Sequence, residues 1–216
     1  MKPDAYKTWI FDCDGVILDS NNLKTEAFYE VALAYGKDNA EKFIQYHKKN
    51  GGISRYEKFN YFFKSILRKP DYHDEIDVAL ALYGKLVKEK LLASEETSGA
   101  RECLKKIPKN TIVITISGGN QDEIREIFQL KGLSIYFSGI FGSPQDKNMI
   151  IRNLITSKEI VPPVIFIGDS FYDYEVAKNN NFSFLFMSQY SEFNEWEQFF
   201  SDKPDVSVIK NLSCLF

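Results

Sequence analysis

Residues 8–12 read TWIFD, a short apolar run that ends on a carboxylate. Runs of the same kind return at TIVITIS (111–117), VIFIGD (164–169) and FSFLFM (182–187), with a fainter one, YFSGIFG, at 136–142 and a last, DVSVI, at 205–209. Near-continuous apolar stretches of this length mark strands buried on both faces, as in parallel sheets. Helical patterns lie between them. SGARECLKKI precedes the second run and is closed by Pro108. NQDEIREIFQLKG puts Ile124, Ile127 and Phe128 on one face and ends at Gly132, a residue suited to the left-handed position past a helix end. KNMIIRNLIT and YDYEVAKNN follow the next two strands. Strands alternating with helices predict an α/β fold, a Rossmann-like doubly wound parallel sheet.

Residues 20–95 break that rhythm, with four helical stretches (21–35, 38–49, 54–68 and 72–93) and no strand. Ala27, Val31 and Ala34 recur at helical spacing, as do Tyr56, Phe59, Phe63 and Ile66. The aromatic stripe YEKFNYFF fits the packing seam of a small bundle, and Gly51-Gly52 marks a tight loop between two of its helices. The predicted organisation is an α/β core domain, residues 1–19 and 96–216, with an inserted α-helical cap domain, residues 20–95. An insert after the first strand lies near the carboxyl edge of the sheet, where ligands bind in such folds, and can act as a lid. There is no internal repeat and no low-complexity tract.

A chain of 216 residues suits one such domain with a sizeable insert. Hydrophobic residues at 44% are enough for a core. A formal charge of −3 speaks against a nucleic-acid partner, which calls for a basic patch or stripe. No apolar run approaches the ~18 residues of a membrane span, and MKPDAYKTWIF lacks the apolar stretch of a secretory signal. The expected location is therefore cytoplasmic, with no membrane partner. Cys13, Cys103 and Cys214 have neither metal-like nor disulfide-like spacing and read as small hydrophobes or inert thiols. His47 and His73 have no spacing partner, which argues against a histidine metal centre and leaves both as surface or core fillers. Lys48 and Lys49 read as solvated charge.

The chemistry-bearing residues collect at strand ends. Asp12 and Asp14 follow the first strand, Ser117 with Gly118, Gly119 and Asn120 the second, and Lys147 opens the helix after the fainter one. GDSFYD then supplies Asp169 and Asp173. Every cluster falls at a carboxyl end, so all can converge on one crevice. Carboxylates without histidine or thiolate suit a hard, oxygen-loving cation, Mg²⁺ rather than zinc. A serine hydroxyl, glycine N–H groups at a helix N-terminus and a lysine make an anion cradle. Cation and cradle on one anion point to phosphate. One carboxylate in reach is then a candidate nucleophile, forming an aspartyl phosphate, and a second is a candidate general acid to the leaving oxygen. Plainer roles stand beside these: Ser117 as a cap of the next helix, Asp173 as a first-turn acid favoured by the helix dipole, and Lys131 or Lys158 in place of Lys147.

At this point the chain resembles the phosphohydrolases of the haloacid dehalogenase superfamily, in the phosphoglycolate phosphatase-like and β-phosphoglucomutase-like branch with a helical cap after the first strand. Four motifs stand in order, DCDGV (12–16), TISGG (115–119), Lys147 and GDSFYD (168–173), and the likeness spans essentially the whole chain. The resemblance implies that Asp12 is the nucleophile and a Mg²⁺ ligand. It implies that Asp14 protonates the leaving alcohol and then activates water, with its backbone carbonyl on the metal. Ser117, Gly118 and Lys147 would hold the phosphoryl group, Asp169 would ligate the metal, and Asp173 would support it directly or through water. Gly15 would allow the tight turn beside the site, while Asp19 and Ser20 would form the hinge into the cap with no catalytic part. In related capped enzymes a loop like GGISRYEKF reaches the active site, so Arg55 either binds a substrate carboxylate or hydroxyl or stands as a solvated charge.

The implied function is Mg²⁺-dependent hydrolysis of a small phosphorylated metabolite, phosphoglycolate-like or sugar-phosphate-like. A sugar phosphomutase of the β-phosphoglucomutase type shares every core residue and is the enzymatic alternative, although the mutase cap signature is not evident in SNNLKTEAF. A phospho-accepting signalling module is the alternative of another class. The helical insert and Asp14 both speak against it.

Overall fold

The first strand, β1 (Thr8–Phe11), is wholly buried and pairs in parallel with a neighbour on either side. In the computed structural model, which describes residues 5–215, the neighbours are β2 (Ile112–Asn120) and β4 (Val164–Gly168). β3 (Gly139–Ser143) lies beyond β2, and β5 (Ser183–Met187) and β6 (Ser207–Ile209) lie beyond β4. The sheet order is β3-β2-β1-β4-β5-β6, all parallel, as the alternation in the sequence predicts. The chain winds one way from β1 through β3 and the other way from β4 through β6. The boundary between β1 and β4 is thus the topological switch point, where such sheets leave a crevice at their carboxyl ends.

Side chains alternate across the sheet. Trp9 and Phe11 join one apolar cluster with α5 (Ala100–Lys106) and α6 (Gln121–Leu130), and Ile10 joins the other with α7 (Lys147–Thr156) and α8 (Phe171–Asn179). Gly132 does take the left-handed conformation after α6, with φ 65°. A short 3₁₀ turn, Ser134–Tyr136, then delays β3 relative to the apolar run that announces it. The short α9 (Trp196–Phe200) has no counterpart in the sequence reading, because five residues are too few to establish a helical period.

Between β1 and α5 the chain forms α1 (Asn21–Leu33), α2 (Lys37–Lys49), α3 (Arg55–Tyr61) and α4 (His73–Ala93), with α3 running on into a π-helical turn at Phe62–Ile66. Their shared interior is aromatic. Phe28 stacks on Tyr83 at 4.1 Å and meets Phe59 at 5.4 Å, and Phe43 meets Phe62 at 4.5 Å. The chain enters this insert through residues 17–19 and returns through 95–97, and the two crossings pair. The Asp19 N–H donates to Glu95 O (2.9 Å), and the Thr97 N–H donates to Ile17 O (3.0 Å).

Phe43 is fully buried at the centre of that seam, in ring contact with Phe28, Phe59 and Phe62. Phe43→Ala is expected to lower stability by about 3–5 kcal/mol, read as a shifted urea midpoint.

Candidate active site

The carboxyl ends of β1 and β4 bring four acids to the switch point. Asp12 follows β1 directly, and its N–H donates to Ile167 O of β4 at 2.9 Å, which holds the strand end in register. Lys147, the first residue of α7, is buried, and its ammonium donates to Asp12 Oδ1 and Asp173 Oδ1, both at 2.6 Å. Asp146 caps that helix by accepting from the Met149 N–H at 2.9 Å, which aims Lys147 inward. Ser170 and Asp173 form a capping box at the start of α8. The Ser170 hydroxyl donates to Asp173 Oδ2 at 2.6 Å, so both oxygens of Asp173 are engaged before any ligand arrives.

Asp14 sits in a second ring of donors. Its Oδ1 accepts from the Ser20 hydroxyl at 2.6 Å, and its Oδ2 accepts from the Lys24 ammonium and from Ser117 Oγ at 3.3 Å. Ser117 Oγ in turn accepts from the Gly119 N–H at 2.9 Å. Asn21 reaches across from α1 and donates to Asp169 Oδ2 at 2.6 Å. Gly15 has φ 72°, and a Cβ there would lie 2.3 Å from Asp169 Oδ2, so this turn admits only glycine. At Gly118 a Cβ would lie 2.3 Å from Gly52 O, and the glycine lets the loop between α2 and α3 rest directly on the core.

Crowding sets the electrostatics. Burial, with Asp173 and Asp14 adding to it against the pull of Lys147, pushes the Asp12 carboxyl up to about 7. Burial beside Asp12 and Asp173 holds Asp169 well above the usual carboxylate range. Burial would raise Asp14 as well, but Lys24, Ser20 and Lys147 hold it below its ordinary value. Burial opposes the charge of Lys147, yet Asp12 and Asp173 win and raise its pKa. Ligand oxygens of Asp12, Asp169 and Asp173 all lie within 4.8 Å of one another. Three buried carboxylates in excess of the one ammonium between them, with no nitrogen or sulfur donor in the group, fit a hard divalent cation.

The structure therefore brings Asp12, Asp14, Ser117, Lys147, Asp169 and Asp173 to one place. Asn120, not Ser117, caps α6, accepting from the Asp122 and Glu123 N–H groups at 3.1 Å each. Lys131 donates to the carbonyls of Leu92 and Ser94, and Lys158 is exposed beyond the end of α7, so neither joins the acids. Arg55 reaches the cleft wall, but its two terminal nitrogens donate to Glu123 of α6 at 2.9 and 2.5 Å, tying the insert to the core. Its guanidinium lies 4.7 Å from the centre of the Tyr83 ring.

Three contacts escaped the sequence reading. Ser20, assigned to the hinge alone, holds Asp14, and Asn21 and Lys24 hold Asp169 and Asp14 from the first turn of α1. The signal available was the polar run SNNLK, in which positions 20, 21 and 24 fall on one side of a helix. His47 and Lys48 also line the cleft, His47 as a buried wall residue.

A profile of the haloacid dehalogenase-like hydrolases matches residues 6–181. Among solved structures, a Bacteroides fragilis protein assigned to the haloacid dehalogenase-like hydrolases aligns with a TM-score of 0.77 and 20% identity, over 98% of this chain and 100% of that one. A predicted phosphoglycolate phosphatase from Haemophilus somnus 129pt aligns with a TM-score of 0.74 and 17% identity, over 97% and 96%. A Thermotoga maritima protein assigned as a β-phosphoglucomutase gives 0.67 and 20%, over 97% and 96%. At these identities the likeness is one of fold. No curated protein matches the sequence significantly.

Removing the shared cation leaves like charges buried together. Lys147→Met is expected to cost about 3–5 kcal/mol at neutral pH in EDTA. A carboxyl pKa raised by folding costs stability from its unfolded value upward, and in full above the raised value. The deficit should therefore narrow as pH falls through 7, which urea titrations at pH 5 and pH 8 would read.

Proposed function

Because the chain belongs to the haloacid dehalogenase-like hydrolases, we propose that it hydrolyses a small phosphate monoester through an aspartyl phosphate on Asp12, with Mg²⁺ as cofactor. The observation that carries this reading is the buried contact of Lys147 with Asp12 and Asp173 and of Ser117 with Asp14, directly behind a cleft that Asp12, Asp14 and Asp169 line. Asp12, Asp169 and the backbone carbonyl of Asp14 would hold the cation, with Asp173 behind them. When bound, it neutralises the crowded carboxylates and draws charge from the phosphoryl oxygens.

The side chains divide the remaining work. Lys147 pulls Asp12 toward its ionised form and places positive charge beside the reacting phosphoryl group. One Asp12 oxygen is held by Lys147; the other attacks phosphorus as the bond to the leaving oxygen breaks. Ser117 and the 118–119 backbone cradle the phosphoryl oxygens. Asp14 delivers the proton to the leaving alkoxide. Lys24 holds Asp14 as a carboxylate, so that proton arrives with a monoanionic ester. As a carboxylate again, Asp14 takes a proton from water, which attacks the acyl phosphate, releases phosphate and restores Asp12. The α1–α4 insert stands over the cleft, which suits a small metabolite.

Phosphate release should be measured across a panel of phosphorylated metabolites with Mg²⁺ and with EDTA, with the products analysed for isomerised sugar phosphates. Repeated turnover that EDTA abolishes is the expected result. An isomer without net release would replace hydrolysis by phosphomutase chemistry, and one phosphorylation per chain would point to a signalling module. Asp12→Asn should eliminate release while remaining folded, and undiminished release from it would overturn the nucleophile assignment. Asp14→Asn should slow alkyl phosphates by about 10²–10⁴-fold and p-nitrophenyl phosphate much less, because its leaving group needs little protonation. Equal losses on both would count against the acid role.

A further inference from the structure

The wall of the cleft built by the α1–α4 insert is rich in cations: Lys24, Lys48, Lys49, Arg55 and Lys58 all line it. Three of them have acids. Lys24 is held by Asp14, Lys48 stands 3.6 Å from Glu192, and Arg55 is forked onto Glu123. Lys49 is exposed to solvent, which leaves Lys58 as the buried exception. Lys58 is 3% exposed, and among the described residues no carboxylate comes within 4.0 Å of its amine. Its hydrogen-bond partner is His47 Nδ1, at 2.7 Å.

That bond is the start of a directed chain. Burial, with Lys58 and Lys24 nearby, holds the His47 imidazole well below its ordinary pKa, so the ring is neutral. Nδ1 then accepts from Lys58 and Nε2–H donates to Thr25 Oγ1 at 2.9 Å, whose hydroxyl donates to Glu192 Oε1 at 2.8 Å. His47 thus fixes the amine in place without supplying charge. The amine also lies 5.4 Å from the centre of the Phe28 ring, which limits where it can point. One helical turn earlier on the same side of α3, Arg55 Nε is buried without a hydrogen-bond partner. Two donors on one wall, the Lys58 amine and Arg55 Nε, lack an acceptor that carries negative charge. Water can take the hydrogen bonds but cannot balance the charge. Resting on the phosphatase reading, we propose that Lys58 receives a second anionic group on the substrate, a carboxylate or a second phosphate remote from the reacting one, and that His47 is its positioning residue.

Lys58 is brought down to about 7, by burial first and then by Lys24, so an anion seated beside it would also restore its proton. Substrates with a neutral tail gain nothing from this wall. The proposal therefore favours phosphorylated acids and bisphosphates over singly phosphorylated neutral sugars.

Binding separates this inference from the reaction itself. Asp12→Asn protein with Mg²⁺ would be titrated calorimetrically with two matched pairs. One is 2-phosphoglycolate against 2-phosphoglycolamide; the other is 1,3-propanediol bisphosphate against 3-hydroxypropyl phosphate. The expected result is a preference of about 10- to 100-fold for the anionic member of at least one pair, and the pair that shows it identifies carboxylate or phosphate. Adding Lys58→Met should reduce that ratio to near unity, and His47→Leu should reduce it while His47→Asn, which keeps an acceptor, retains more of it. Lys58→Gln serves if Lys58→Met fails to fold, as judged by circular dichroism and melting. Equal affinities within both pairs, or a preference that survives loss of Lys58 in a folded variant, would overturn the proposal. Turnover by the unmodified enzyme is scored separately: no phosphate release from any ester would sink the phosphatase reading, whereas equal kcat/KM for charged and neutral members would sink the Lys58 assignment alone.

Discussion

One ammonium is shared between two buried carboxylates, and much of the molecule is arranged around that contact. Lys147 lies between Asp12 and Asp173 with almost no access to water. Each acid comes from a different element, Asp12 from the end of β1 and Asp173 from the first turn of α8, while the amine comes from the first residue of α7. Bringing them together requires adjacent β1 and β4, helices that start just beyond the strand ends, and capping residues that fix the first turn. A doubly wound sheet meets all three conditions at its switch point. One ammonium does not neutralise three acids with ligand oxygens this close, and the imbalance of negative charge is what makes the pocket attractive to a cation.

Much of this was legible from residues 8–12, 111–120 and 164–173 because each piece is local. An apolar run gives a strand, and the polar residue that ends it gives a site position. The caps are local too: Asp146 and Ser170 precede their helices at the spacing caps use. The competing roles for Ser117 and Lys147 could be separated only once contacts between distant elements were visible. Asn120 takes the capping role three residues after Ser117, and Lys131 turns to the carbonyls that end α4.

The wall opposite the sheet was less readable for the same physical reason. Lys24, His47, Lys58 and Glu192 are polar residues whose partners lie between 10 and 167 positions away. Their own elements favour no particular face for them: in α2 His47 belongs to a lysine-rich end that reads as solvated, and in α3 Lys58 lies within the aromatic stripe. Packing of Phe28, Phe43 and Phe59 decides which way those helices turn, and the polar residues follow. Arg55 shows the same dependence, since Glu123 belongs to the other side of the cleft.

The paired crossings at residues 17–19 and 95–97 have a mechanical consequence. Two independent tethers would let the helices slide, tilt and spin over the sheet. Laced together by backbone hydrogen bonds, and with Leu18 bridged to Glu96, they behave as a single strap. A strap twists far more readily than it shears, which leaves the insert in effect one swing axis. The same strap begins in the loop that carries Asp14, whose backbone is itself bridged to Leu18. Any swing is therefore felt first at Asp14, which in the proposed mechanism ties access for solvent and substrate to the posture of the acid that acts on them.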